Sequence, residues 1–361
     1  VKRSTSEYRE GRRKAPAIWR RTVHLPIARL LGLALVLFSV IGAGTLVAQQ
    51  PQFFRIGTGS TAGTYFPVGS ILAAAISNPP GSRPCDRGGS CGVPGMIAVA
   101  QSTQGSVDNV EAVNAALLES AFTQADVAYW AYESEGVYEG KEPLTSLRTI
   151  ASLFPESIHL VVRKDAGIRK VGDLKGKRVS LDREGSGTRV DALLILKAYG
   201  VGVDEIEVYG LSAGAAADQL EQGELDAFFM VVGIPGAAIA SLADQSLITL
   251  LPLEGPEAEK LREDYPFFSE HAIPSGTYFN VPNTNSLAVR AQWVVNAEVP
   301  KERVYDITQA LWNESTRRLL DDGHPQGRFI TIDSALKGVT SPPLHPGAAQ
   351  FYKEKGLIPI Q

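Results

Sequence analysis

Cysteine and histidine are scarce in this chain, with two and five residues among 361. A zinc site requires about four ligands at short spacings. His24, His159, His271, His324 and His345 are scattered without such spacing, which argues against a metal centre. Cys85 and Cys91 are separated by five residues in PPGSRPCDRGGSCG. In a glycine- and proline-rich loop outside the cytoplasm, such a pair most simply forms a disulfide. Positive charge is also thin over most of the length. Of 35 basic and 39 acidic residues, nine and two lie in 1–48, so the remainder holds 26 and 37 and a net charge near −11. Nucleic-acid binding needs clustered positive charge, so that partner class is excluded. An anion bound by such a body must be held by local dipoles and hydrogen bonds against the global field.

Charge is absent altogether from Leu30 to Ala48 (LLGLALVLFSVIGAGTLVA). Basic residues precede this apolar run and small residues close it, the pattern of a secretory signal peptide over 1–48. Left uncleaved as an anchor, its nineteen residues would form a helix of about 28 Å, enough to cross a bilayer core. Either reading places 52–361 outside the cytoplasm, in the periplasm.

From there on, β-rich runs alternate with helical patterns, which argues an α/β fold. Strands are expected at FFRIG (53–57), IAVAQ (97–101), DVAYW (126–130), RTIASLF (148–154), IHLVVR (158–163), KRVSLD (177–182), IEVYG (206–210), LDAFFMVVG (225–233), SLITLLPL (246–253) and 286–290. Helices are expected at 67–77, 109–120, 190–200 and 214–222, with one long helix from Lys301 to Leu320. The last stretch is too small to stand alone and is expected to complete the first lobe. The resulting division is 52–155 plus 270–361 for one lobe and 156–269 for the other. Crossovers near 154–157 and 253–271 would join them as a hinge around a ligand cleft.

Two loops carry the candidate chemistry. GTGSTAGTYFP (57–67) follows the first strand and opens a helix. Its glycines let the backbone come close to a ligand, Ser60, Thr61 and Tyr65 add hydroxyls, and a helix N-terminus favours an anion. REGSGTR (183–189) repeats the arrangement with Ser186, Gly187 and Thr188. Facing one another, the two loops would grip an acid from both sides with charge-assisted hydrogen bonds. Ser106, Asn109 and Gln124 add donors and acceptors, although Ser106 could simply cap a helix. Gly57-x-Gly59-x-x-Ala62 nominally fits a dinucleotide fingerprint. The acid-ended strand that should follow it is replaced by PPGSRPCDRGGSC, so no cofactor is expected. Ser60 and Ser186 have no histidine nearby in sequence, and no base or nucleophile stands out, so an enzyme is not expected.

These motifs, in order, resemble the TAXI-type extracytoplasmic solute receptors of tripartite ATP-independent periplasmic (TRAP) transporters. The likeness runs through IGTGSTAGTYFPVG, CDRGGSCGVPGMIAVAQSTQGSVDNV, FTQADVAY, VGDLKGKRVSLDREGSGTR and IPSGTYFNVPNT. It implies a type II periplasmic-binding-protein fold with two α/β lobes and a cleft between them. The implied ligand is a small carboxylate such as glutamate or 2-oxoglutarate, and the implied partners are TRAP membrane subunits. Ser60, Thr61, Tyr65, Ser186, Gly187 and Thr188 match ligand contacts, with Gln124, Ser106 and Asn109 behind them. Gly233 and Pro235 would border the cleft. Where relatives carry Thr-Gly-Gly, this chain has Thr61-Ala62-Gly63. An alternative is a membrane-anchored sensing domain for the same class of acid, in contact with the membrane through its uncleaved N-terminal segment.

Overall fold

The computed structural model describes residues 51–359, so the expected signal or anchor in 1–48 lies outside the described residues. Ten strands form one continuous sheet. In chain order they are β1 (Gln52–Gly57), β2 (Met96–Gln101), β3 (Ser120–Gln124), β4 (Leu147–Arg163), β5 (Arg178–Ser180), β6 (Glu207–Tyr209), β7 (Ala227–Val232), β8 (Ile248–Leu251), β9 (Ser269–Ile273) and β10 (Thr284–Asn296). The helices that matter for the site are α1 (Tyr65–Ile76), α2 (Ser106–Asn114), α3 (Ala125–Glu133), α4 (Gly187–Ala198), α5 (Ala213–Glu221), α6 (Ala237–Asp244) and α7 (Pro256–Asp264).

The sheet is two similar halves. In the first, β2, β1 and β3 run parallel and β10 pairs antiparallel with β3 and with β4. In the second, β6, β5 and β7 run parallel, and β4 pairs antiparallel with β7 and with β8. Each half thus takes its antiparallel strand from a chain segment shared with the other. That exchange is the topology of a type II periplasmic binding protein, two α/β lobes tied by paired crossings.

Strand β4 shows why one segment can serve both lobes. It is buried on both faces, which requires a near-continuous apolar run rather than alternation. Leu160 and Val162 enter one core with Ile195 and Phe229, while Val161 enters the core on the other face with Phe228, Met230 and Ile239. The first lobe has its own core around Phe54, Ile56, Leu72, Phe122, Phe154 and Trp293.

Several sequence expectations change. DVAYW is helical, not a strand: α3 buries Val127, Trp130 and Ala131, the spacing of one helical face. The long helix expected over 301–320 is two, Lys301–Leu311 and Glu314–Gly323. Asn313 divides them, because its side chain accepts the Thr316 N–H at 2.7 Å and caps the second helix. RTIASLF and IHLVVR are one unbroken strand through 154–157. The second crossing is not at 253–271. It is β10, whose Ala288–Arg290 lie beside Pro155–Ser157 of β4, with a register shift between Arg290 and Gln292. Accordingly Ile273, Tyr278, Val281, Leu287 and Val289 pack in the second lobe's cores, although sequence grouped 270–289 with the first lobe. Cys85 and Cys91 are bonded to each other, with Cα atoms 4.8 Å apart.

Candidate ligand cleft between the lobes

β1 ends at Gly57, where the backbone passes close to the Leu118 and Asn109 side chains. A Cβ would lie 2.7 Å from Leu118 Cδ1 and 2.8 Å from Asn109 Oδ1. The chain then turns, with the Gly63 N–H donating to Ser60 O at 3.0 Å, and enters α1. The N-terminus of α1 borders a cavity whose wall includes Gly59, Ser60, Gly63, Thr64 and Tyr65. The first N–H groups of a helix have no intrahelical partner and carry the positive end of its dipole.

From the second lobe, β5 leads into α4, and Ser186, Gly187 and Thr188 wall the same cavity. Ser186 caps α4, its Oγ accepting the Arg189 N–H at 3.1 Å. Thr188 Oγ1 accepts the Val231 N–H at 3.1 Å and so ties α4 to β7. The cavity volume is ≈60 Å³, space for a few waters. This is a closed arrangement, and hydrogen bonds across the lobes hold it. Gly185 O accepts from the Val107 and Asp108 N–H groups at 3.0 and 3.1 Å, so a second-lobe carbonyl caps first-lobe helix α2. Arg183 Nη2 donates to Thr103 O at 3.1 Å. Gly233 N–H donates to Thr64 Oγ1 at 3.1 Å. Gln124 Nε2 donates to Asp191 Oδ2 at 2.5 Å. The approach is so close that a Cβ on Gly187 would sit 1.3 Å from Gln124 Oε1.

The electrostatics are one-sided. Among the described residues the cavity wall holds two carboxyl groups, Glu156 and Asp182, and no basic side chain. Glu156 is 2 % exposed and accepts a hydrogen bond from Tyr65 Oη at 2.7 Å. Burial pushes its carboxyl up to about 8, outweighing the Tyr65 bond, and the charge of Asp126 adds to the rise. It is therefore protonated at neutral pH and can donate. Burial likewise raises Asp182 to about 6, against the opposing Arg183 N–H and charge.

Of the residues singled out by sequence, Ser60, Tyr65, Ser106, Gln124, Ser186, Gly187 and Thr188 share this wall. Ser106 caps nothing there. Its Oγ donates to Gln124 Oε1 at 3.3 Å and accepts the Gln124 N–H at 3.1 Å. Four residues fall outside the wall. Thr61 is exposed. Asn109 is spent on structure, its Nδ2 donating to Thr58 O at 2.6 Å and Phe122 O at 2.7 Å, which clamps β1 to β3. Gly233 meets Thr64 and the Gln326 side chain instead, and Pro235 lies two residues beyond it. Sequence reasoning missed Glu156, Asp182 and Met230. Asp182 had a signal, as the acid that ends KRVSLD directly before the second loop. Glu156 had one too, as a lone acid in the apolar stretch that crosses between lobes.

Two lobes, paired crossings and a polar cavity between opposed helix N-termini define the architecture of a solute-binding protein. The chain belongs to the NMT1-like family, whose profile matches residues 56–356. A solved protein from Bordetella bronchiseptica RB50 shares the fold, with a TM-score of 0.50 at 13% identity over 84% of this chain and 82% of that one. MatC from Rhodopseudomonas palustris, solved with bound malate, gives 0.49 at 14% over 85% and 96%. The alkanesulfonate-binding protein SsuA from Xanthomonas axonopodis pv. citri, bound to MOPS, gives 0.44 at 16% over 86% and 96%.

Proposed function

We propose that this chain is an extracytoplasmic solute-binding receptor that captures a small carboxylate and delivers it to a membrane transporter, in the manner of a TAXI-type TRAP receptor. One observation carries the reading: loops opening α1 and α4, one per lobe, wall a single cavity rich in hydroxyl and amide groups. A carboxylate there would be held by helix N-termini, by Ser60 and Ser186, and by the protonated Glu156, none of which needs a positive side chain. Asp182 favours, within this class, a solute that also brings an ammonium group, such as glutamate, over a plain dicarboxylate. The receptor reading places the mature chain in the periplasm. Among the described residues no helix is long and apolar enough to cross a membrane, so contact with the bilayer would come through the transporter or through 1–48.

Thermal shift across C4–C5 dicarboxylates, amino acids and keto acids tests this. A true solute at a hundred times its Kd should add about 2.7 kcal/mol of stability. A flat panel would reject the assignment.

A further inference from the structure

Behind the cavity, two carboxyl groups meet where the lobes touch. Asp126 lies in the first turn of α3, in the first lobe, and Asp191 lies on α4, in the second. Both are 0% exposed. Asp191 Oδ2 accepts from Gln124 Nε2, but no side chain donates to Asp191 Oδ1 or to either oxygen of Asp126, which has only the backbone N–H groups opening α3 near it. The two carboxyls lie within hydrogen-bonding reach of each other. Two ionised carboxylates cannot satisfy one another, since neither donates. A single proton changes that, because it makes one group a donor to the other in a strong O–H···O⁻ bond.

Nothing else nearby can neutralise the pair. Glu156 on β4 is a further acid and is itself bonded to Tyr65 on α1. The charged groups on the surrounding elements are engaged elsewhere. Arg290 on β10 donates to Ser152 and Leu153 O. Lys260 and Arg262 on α7 pair with Asp264 and Glu270. On α2, Asp108 accepts from the Gln104 N–H and Glu111 from Tyr138 Oη. On α4 itself, Arg189 gives its backbone N–H to Ser186 and adds no resolved charge effect on Asp191. Among the described residues no three His, Cys, Asp or Glu side chains are arranged to hold a metal ion.

The geometry points to Asp126 and Asp191 as a proton-binding latch: one shared proton holds the lobes together, and its loss frees them to part. The latch leans on the receptor reading only in needing lobes that open. Burial is the main cause that lifts both carboxyls, Asp126 to about 6, and the charge of Asp126 lifts Asp191 further. A carboxyl raised in the closed form binds its proton more tightly there than in the open or unfolded chain. Closure is therefore fully supported below the ordinary aspartate value near 4 and loses that support in two steps, the first as pH rises through about 6 and the second, which removes the shared proton, at the higher pH where Asp191 titrates. Solute would be held more firmly in an acidified compartment and released more readily in an alkaline one.

The test uses the full chain without added solute, followed from pH 5 to pH 9 by small-angle scattering and by thermal melting. Wild type should expand and lose on the order of 5 °C in Tm as pH rises. Asp191→Asn puts a permanent donor beside Asp126, so it should stay compact and lose much less. Asp126→Asn should behave alike, and Glu259→Gln, at an exposed acid on α7, should keep the wild-type expansion. Three outcomes would overturn the latch. Wild type could show no expansion, Asp191→Asn could expand as wild type does, or compaction could follow sodium concentration at fixed pH. Because no solute is present, failure here leaves the solute screen untouched, and a flat solute screen leaves this titration readable.

Discussion

The two glycine-and-hydroxyl loops are alike in sequence and unlike in employment. In the first, Ser60 Oγ has one weak internal partner, the Ala62 N–H at 3.4 Å, and Thr61 is exposed. In the second, Ser186 caps α4, Thr188 anchors β7, and Gly185 O caps a helix of the other lobe. The first loop is therefore available to a solute, whereas the second is committed to its own fold and to closure. Similar composition produces a ligand-facing loop on one side and a structural clasp on the other. A substitution at Ser186 or Thr188 should act on stability and closure, and one at Ser60 on affinity alone.

The largest expected effect is at Gly187. Its backbone is ordinary helix, where alanine is normally favoured. Yet a Cβ would overlap Gln124 Oε1, and that side chain is held by both Ser106 and Asp191. Overpacking of this kind costs about 2 kcal/mol, so Gly187→Ala should weaken solute binding ~30-fold. Melting of the free, open chain should be unchanged or slightly higher. Equal affinity by calorimetry would show that the lobes do not close on this contact. Next come the hydroxyls of the clasp. Ser186→Ala removes a helix cap and should lower stability by about 1 kcal/mol. Thr188→Val leaves the Val231 N–H unpaired, at about 1–2 kcal/mol. Urea unfolding that shows neither loss would mean the second loop is as free as the first.

Much of this was legible in the chain. The strand-then-helix alternation, both loops and the Cys85–Cys91 pairing follow from residue types and spacing. What was not legible depends on tertiary partners. DVAYW is too short and apolar to separate strand from helix by periodicity. Its identity is fixed only when Val127 and Trp130 meet their neighbours. Asn109 has the chemistry of a ligand contact, but the strand ends it clamps are 51 and 13 residues away in sequence. The acid cluster is least legible. Asp126 and Asp191 are 65 positions apart in numbering and lie in different lobes, and an aspartate in a helix's first turn ordinarily reads as a dipole partner. Only closure brings the two together without a base.

The smallest effects belong to the first loop and are the sharpest check on the contrast. Ser60 lines the cavity but supports nothing essential in the fold, so Ser60→Ala should leave urea stability within ~0.5 kcal/mol of wild type. If its hydroxyl bonds the solute, affinity should fall by about 1 kcal/mol, roughly fivefold. Thr61 is matched to a ligand contact by sequence yet stands outside the cavity wall. Thr61→Ala should therefore change neither quantity. A fivefold loss at Thr61 with none at Ser60 would mean that the loop turns over when solute enters. The wall seen in the closed chain would then not be the surface that greets the ligand.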